Sequence, residues 1–95
     1  MKVIIKPKAE KSIASIGAYI SEEGYPETAE DYLDRMKEFV KSLVSFPDKY
    51  PICRQNKFAK RNLHCAVFES TYTFIYKVVK SQLIIYIVIH GKRLR

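Results

Sequence analysis

Glycine is scarce in this chain. Gly17, Gly24 and Gly91 are the only three in 95 residues, so there is no GxGxxG or GxxxxGK loop to cradle a phosphate, and nucleotide-cofactor chemistry built on such loops is disfavoured. HExxH, CxxC and GxSxG are also missing, which removes the common signatures of zinc peptidases, dithiol oxidoreductases and serine hydrolases. Two cysteines, Cys53 and Cys65, are too few for a disulfide framework and have the wrong spacing for a zinc site; they read as buried or idle thiols. Long apolar runs are missing too. The longest, Leu83 to Ile89, has seven residues, against roughly 20 for a membrane helix. Lys2-Val3-Ile4-Ile5-Lys6-Pro7 is too short and too interrupted for a signal peptide. The expectation is a cytoplasmic protein with no membrane partner, no metal and no cofactor.

What is present describes a folded chain. Hydrophobic residues make up 47% and charged residues 28%, close to globular averages and far from disordered compositions. The length suits one domain over residues 1–95. The distribution of charge is more informative than its total of +7. Residues 1–50 hold eight basic and nine acidic side chains, a net −1; residues 51–95 hold nine basic side chains and one acid, Glu69, a net +8. A generic solubilising charge would be dispersed, whereas here Arg54, Lys57, Lys60 and Arg61 lie within eight residues, and Lys92, Arg93 and Arg95 close the chain. Such a cluster attracts a polyanion, nucleic acid first, because each neutralised phosphate releases condensed counterions.

Hydrophobic periodicity supplies the elements. Val3 to Lys6 forms a short β-type run that Pro7 stops, and proline suits the first turn of a following helix because its missing N–H has no partner there. Ala9, Ile13, Ile16 and Ile20 recur at helical spacing until Gly24 and Pro26 interrupt. Ala29, Leu33, Met36, Val40 and Leu43 repeat in the same way, flanked by Tyr32, Phe39 and Phe46, and Phe46-Pro47 ends the second helix. Glu27, Glu30 and Asp31 sit near its start, where the helix dipole favours acids. Residues 47–60 read as a basic loop with a short strand near Phe58. Three strand-like runs follow: residues 61–68, 72–79 and 82–90, the last two joined by a tight Lys80-Ser81 turn. Helices ahead of the main strands, without βαβ alternation, predict an α+β fold: an N-terminal strand and a two-helix antiparallel hairpin packed on a small, mostly antiparallel sheet.

Strict alternation in the last strand puts Leu83, Ile85, Ile87 and Ile89 against the helices, and Ile84, Tyr86, Val88 and His90 on the other side. Parity does not decide which face of residues 72–79 is buried, since both sets carry large apolar groups. A metal site on His64 and His90 would need further ligands that a half with one carboxylate hardly offers. The remaining chemistry is metal-free work on an RNA phosphodiester: His90 as acid or base, with Arg61 and Arg93 stabilising the charged phosphorane. The same cations also serve plain binding of nucleic acid or of an acidic surface, since charge alone does not specify chemistry.

The order of these elements, together with LVSFPDKY at Leu43 to Tyr50, Lys60-Arg61, YTFIYKV at Tyr72 to Val78 and IYIVIHGKR at Ile85 to Arg93, resembles the RelE/ParE superfamily of type II toxins along almost the whole chain. The resemblance implies a small toxin held inactive by a cognate antitoxin whose C-terminal segment wraps around it. Within the superfamily, RelE-like members cut messenger RNA on the ribosome, and ParE-like members inhibit DNA gyrase. The ending His90-Gly91-Lys92-Arg93 is more similar to the ParE side, and no tyrosine follows His90 as in many RelE-like chains. Arg61 and Arg93 match positions of basic functional residues. The expected target is therefore DNA gyrase, with a ribosome-dependent mRNA endonuclease and a non-catalytic nucleic-acid-binding module as alternatives. Target contact is expected from Arg54, Lys57, Lys60, Arg61, Lys92, Arg93 and Arg95.

Overall fold

A computed structural model describes residues 1–24 and 26–91. Strand β1 (Lys2–Ile5) leads into helices α1 (Pro7–Glu23) and α2 (Pro26–Ser45); a short helix α3 (Asn56–Ala59) precedes strands β2 (His64–Phe68), β3 (Tyr72–Val79) and β4 (Gln82–His90). The sheet order is β1-β4-β3-β2, with β1 parallel to β4 and the other pairs antiparallel. This is the α+β architecture expected from the periodicity. Segment 47–60 differs from expectation: Phe58 lies in α3 rather than in a strand, and the preceding strand contact is a single bridge from Ile52 to His64.

Pro7 opens α1, where its missing N–H leaves no helical bond unmade. The Gly24 N–H closes α1 on the Ile20 carbonyl at 2.9 Å. Gly17, which weakens helix propensity, is buried where the two helices meet: a Cβ there would stand 3.1 Å from Leu33 Cδ1. The helices settle on one face of the sheet. Ala9 and Ile16 of α1, Met36 and Leu43 of α2, and Ala66, Phe68, Phe74, Tyr76, Leu83, Ile85 and Val88 of the strands form the main core. Phe39 joins α2 to the sheet, its ring 5.2 Å from Phe68 and 5.4 Å from Phe74. Phe46 does not extend this apolar face: α2 stops at Ser45, and the Phe46 side chain is 67% exposed.

The open question of β3 is answered by these contacts, since Tyr72, Phe74, Tyr76 and Val78 face the helices. In β4 the expected alternation holds only as far as Ile85. Tyr76 pairs with Ile85 but Ile75 pairs with Ile87, so Tyr86 is an extra residue, a β-bulge. Parity inverts beyond it. Val88 joins the helix-side core and Ile87 and Ile89 turn to the opposite, outer face, the reverse of the assignment from simple alternation. The hairpin turn after β3 is as tight as expected, with Lys80 and Ser81 both at positive φ (49° and 62°), the geometry that matches the twist of two-residue hairpins.

Among the described residues, Tyr76 carries the one phenol on a completely buried residue of this core. Its hydroxyl donates to the Pro47 carbonyl at 2.6 Å, and its ring stacks on His64, whose Nδ1 lies 2.6 Å from the Tyr50 carbonyl. Burial, reinforced by nearby Tyr50 and Asp48, pushes the Tyr76 phenol up to about 12. A raised pKa favours the neutral phenol in the fold, so its contribution is complete below about pH 10 and is lost as pH climbs towards about 12. Tyr76→Phe should cost about 1 kcal/mol at neutral pH, through the carbonyl left without its donor, and should flatten the alkaline loss of stability. Urea titrations across that pH range check both; an unchanged alkaline limb in the variant would remove Tyr76 from this role.

Candidate target-binding surface

The outer face of the sheet, on the side away from α1 and α2, is covered by residues 51–63, called the lid below. Its apolar contacts are few. Cys53 and Leu63 of the lid are buried with Ile75 of β3, and Phe58, Cys65, Tyr86, Ile87 and Ile89 pack around them. Two backbone bonds fix its ends to each other and to β2: the Cys53 N–H donates to the Leu63 carbonyl at 2.8 Å, and the Cys65 N–H to the Pro51 carbonyl at 3.1 Å. Between them α3 closes on itself, with the Ala59 N–H on Gln55 O and the Leu63 N–H on Phe58 O. The chain turns back towards β2 at Asn62, whose φ of 56° is one that asparagine tolerates better than most residues.

Cys53 and Cys65 are not idle thiols, as their count and spacing suggested. They form a disulfide, with Cα atoms 5.0 Å apart. The reason is the antiparallel bridge of Ile52 with His64, which brings the two cysteines, 12 residues apart in sequence, into adjacent positions.

The lid presents its cations outward. Arg54, Lys57, Lys60 and Arg61 are all exposed. Arg61 is held in a defined place: its guanidinium carbon lies 4.9 Å from the centre of the Tyr86 ring, and Lys77 Nζ donates to the Arg61 carbonyl at 3.1 Å. Lys57 Nζ stands 5.0 Å from the Phe58 ring centre. Contacts of this kind at exposed sites are worth about 0.5–1 kcal/mol, enough to bias a side chain's position without removing its charge from solvent. Glu69, the only acid of residues 51–95, is engaged elsewhere: both of its carboxylate oxygens accept from Arg35 on α2, at 2.8 and 3.2 Å. That hydrogen bonding, ahead of the Coulombic attraction of Glu69 and Asp31, raises the Arg35 pKa further above its ordinary value. Among the described residues, no carboxylate pairs with Arg54, Lys57, Lys60 or Arg61. Two acids of α2 pair locally, Asp31 with Arg35 and Glu38 with Lys41, and none reaches the lid, which stands as a cationic surface without acidic partners among the described residues.

His90 is somewhere else. It pairs with Tyr72 across the sheet and its ring meets the Tyr72 ring edge-on at 5.4 Å, while Tyr72 in turn faces Tyr32 of α2 at 6.3 Å. The bulge therefore puts His90 on the helix side, and the expectation that it shares a face with Tyr86 is overturned. The structure brings Arg54, Lys57, Lys60 and Arg61 together on the lid and does not bring His90 to Arg61. Lys92, Arg93 and Arg95 lie outside the described residues. Sequence reasoning passed over Lys77 and Tyr86 as the residues that seat Arg61. Simple alternation already places Tyr86 on the outer face, but the contacts that seat Arg61 join segments distant in sequence, for which the chain carries no local signal.

A second concavity lies on the other edge of the molecule. An open groove of about 660 Å³ between α2 and β2 has Phe39 and Phe68 in its wall and Arg35, Glu38, Lys41 and Glu69 around them. It borders β2, the edge strand of the sheet, whose Val67 side chain is 54% exposed.

The chain is similar in fold to a solved structure described as the chromosomal ParDE TA system from P. aeruginosa, with a TM-score of 0.78, 16% identity, and 95% of each chain covered. No curated protein sequence matches. The family model for the ParE toxin of the type II toxin–antitoxin system, parDE, matches residues 3–95. The chain belongs to this ParE toxin family, within the RelE/ParE superfamily.

If the lid is the polyanion-facing surface, removing one of its cations should weaken binding and reduce the salt dependence together. For duplex DNA as a probe, Arg61→Ala should lower the magnitude of the slope of log K against log salt by about 1. Loss of affinity with an unchanged slope would show that Arg61 does not meet phosphate.

Proposed function

We propose that this chain is the toxin of a type II module that inhibits DNA gyrase through its cationic lid and is neutralised by a cognate antitoxin. The observation that carries the reading is the lid itself: four exposed cations without acidic partners among the described residues, one of them seated on Tyr86. Membership of the ParE family supports it from the side of relatedness. So does the position of His90, because the endonuclease reading asks His90 and Arg61 to act on one phosphodiester and they occupy opposite faces of the sheet. General acid or base action requires reach of about one hydrogen bond to the reacting group, which opposite faces deny.

The antitoxin would engage the same chain with two kinds of contact. An acidic segment disordered before binding would neutralise the lid, and apolar side chains would enter the groove walled by Phe39 and Phe68 beside the β2 edge. Folding on binding suits a partner that must cover a wide surface.

Supercoiling by purified gyrase in the presence of the chain tests the proposal. Inhibition is expected from the wild type and from His90→Ala, and loss of inhibition, about tenfold or more, from the combined Lys57→Glu, Lys60→Glu and Arg61→Glu variant. Codon-spaced cuts in messenger RNA on induced expression, abolished by His90→Ala and accompanied by normal supercoiling, would overturn the reading in favour of the endonuclease.

A further inference from the structure

The lid rests on the sheet through a small apolar cluster, and the one cross-link that clamps it there is a bond that chemistry can undo. The helix-side core holds eleven buried residues. The outer-face cluster holds three, Cys53, Leu63 and Ile75, and the first of these is itself half of the disulfide. Apart from that bond, the Cys53 N–H ties the two ends of the lid together at the Leu63 carbonyl, and the Cys65 N–H on the Pro51 carbonyl and the exposed Lys77 Nζ on the Arg61 carbonyl tie it to β2 and β3. The bonds within α3 order the lid internally but do not anchor it to the strands.

We propose that Cys53–Cys65 is a redox modification site at which a dithiol reductant releases the cationic lid from the sheet while the helix-side core stays folded. The geometry indicates how the exchange runs. Cys53 is 4% exposed, whereas Cys65 on β2 is only half-buried. A thiolate of the reductant attacks Cys65 Sγ, the sulfur–sulfur bond breaks, and Cys53 leaves as a thiolate that takes up a proton. The second thiol of the reductant, deprotonated, then attacks its own sulfur in the mixed disulfide and frees Cys65, which is protonated in turn. Two electrons pass from the dithiol, which becomes a disulfide, to the protein pair, which becomes two thiols.

The consequence falls on the surface described above. Opening the bond restores chain freedom to a loop closed over 12 residues and removes the clamp beside Leu63. Arg54, Lys57, Lys60 and Arg61 then no longer stand as one preorganised array, and Arg61 loses its fixed seat on Tyr86. Because disulfides are rare where thiol reductants prevail and accumulate under oxidation, the compact lid is the oxidised form and the released lid the reduced one. The inference concerns the attachment of the lid and stands whether or not gyrase is the target.

Amide hydrogen exchange on the full chain, with and without dithiothreitol, tests it. On reduction the amides of Cys53, Ala59, Leu63 and Cys65 should lose protection by a factor on the order of 30, while those of Phe74 and Ile85 should exchange as before. The Cys53→Ser, Cys65→Ser variant should match the reduced wild type without any reductant. Equal lid protection in both redox states would overturn the proposal. So would loss of protection across Phe74 and Ile85, which would mean global unfolding, and so would two free thiols in protein equilibrated with oxidised glutathione. Salt-dependent binding to duplex DNA, followed in the same samples, should weaken with the lid; if the lid opens and binding does not change, the cationic-lid reading fails and the redox reading survives.

Discussion

The extra residue in β4 is the constraint on which the two-faced character of this molecule depends. Without the bulge at Tyr86, Ile87 and Ile89 would point at the helices, and Val88 and His90 would stand beside Tyr86 on the outer face. With it, Val88 and His90 turn to the helix side, and Ile87 and Ile89 join Tyr86 in an apolar floor on the other. One residue thus brings Ile87 and Ile89 to a second, smaller core, over which residues 51–63 close. Bulges re-aim side chains in this way because the side-chain period of a strand is two, so a single insertion exchanges the faces beyond it.

The two cores differ in what they bring to the surface. Over the main core, acids and bases on α2 answer one another, and Arg35 draws Glu69 across from the β2–β3 connection. Over the minor core the lid offers cations alone. Consuming the single acid of the second half in a contact on the helix side is what leaves the outer face strongly positive. The positive field attracts a polyanionic or acidic partner, while Tyr86 and Lys77 hold one of its charges in place. A surface built on so small a core is also the part of the fold most easily loosened, and the disulfide offsets that weakness.

Much of the scaffold was legible in the amino acids. The isoleucine stripe of α1, the limits of β3 and β4 and the Lys80-Ser81 turn follow from periodicity and turn chemistry, which act within a few residues of one another. Gly17 lowers helix propensity, yet it permits the approach of Leu33; that role depends on a neighbour 16 positions away. The bulge, the lid and the Cys53–Cys65 bond were invisible for the same reason. Each arises from a pairing between distant segments: Ile75 with Ile87, Ile52 with His64. Of the candidate site, the clustering of Arg54, Lys57, Lys60 and Arg61 could be read directly because they are close in sequence. The separation of Arg61 from His90 could not, because it depends on which side of the bulge each one contacts.

The division of the sheet into a helix-bearing face and a lid-bearing face is most directly tested by nuclear Overhauser contacts around β4. The account predicts that His90 ring protons see those of Tyr72 and that Tyr86 ring protons see the side chain of Arg61. Contacts between His90 and Tyr86, with none from His90 to Tyr72, would restore simple alternation in the strand and contradict the account.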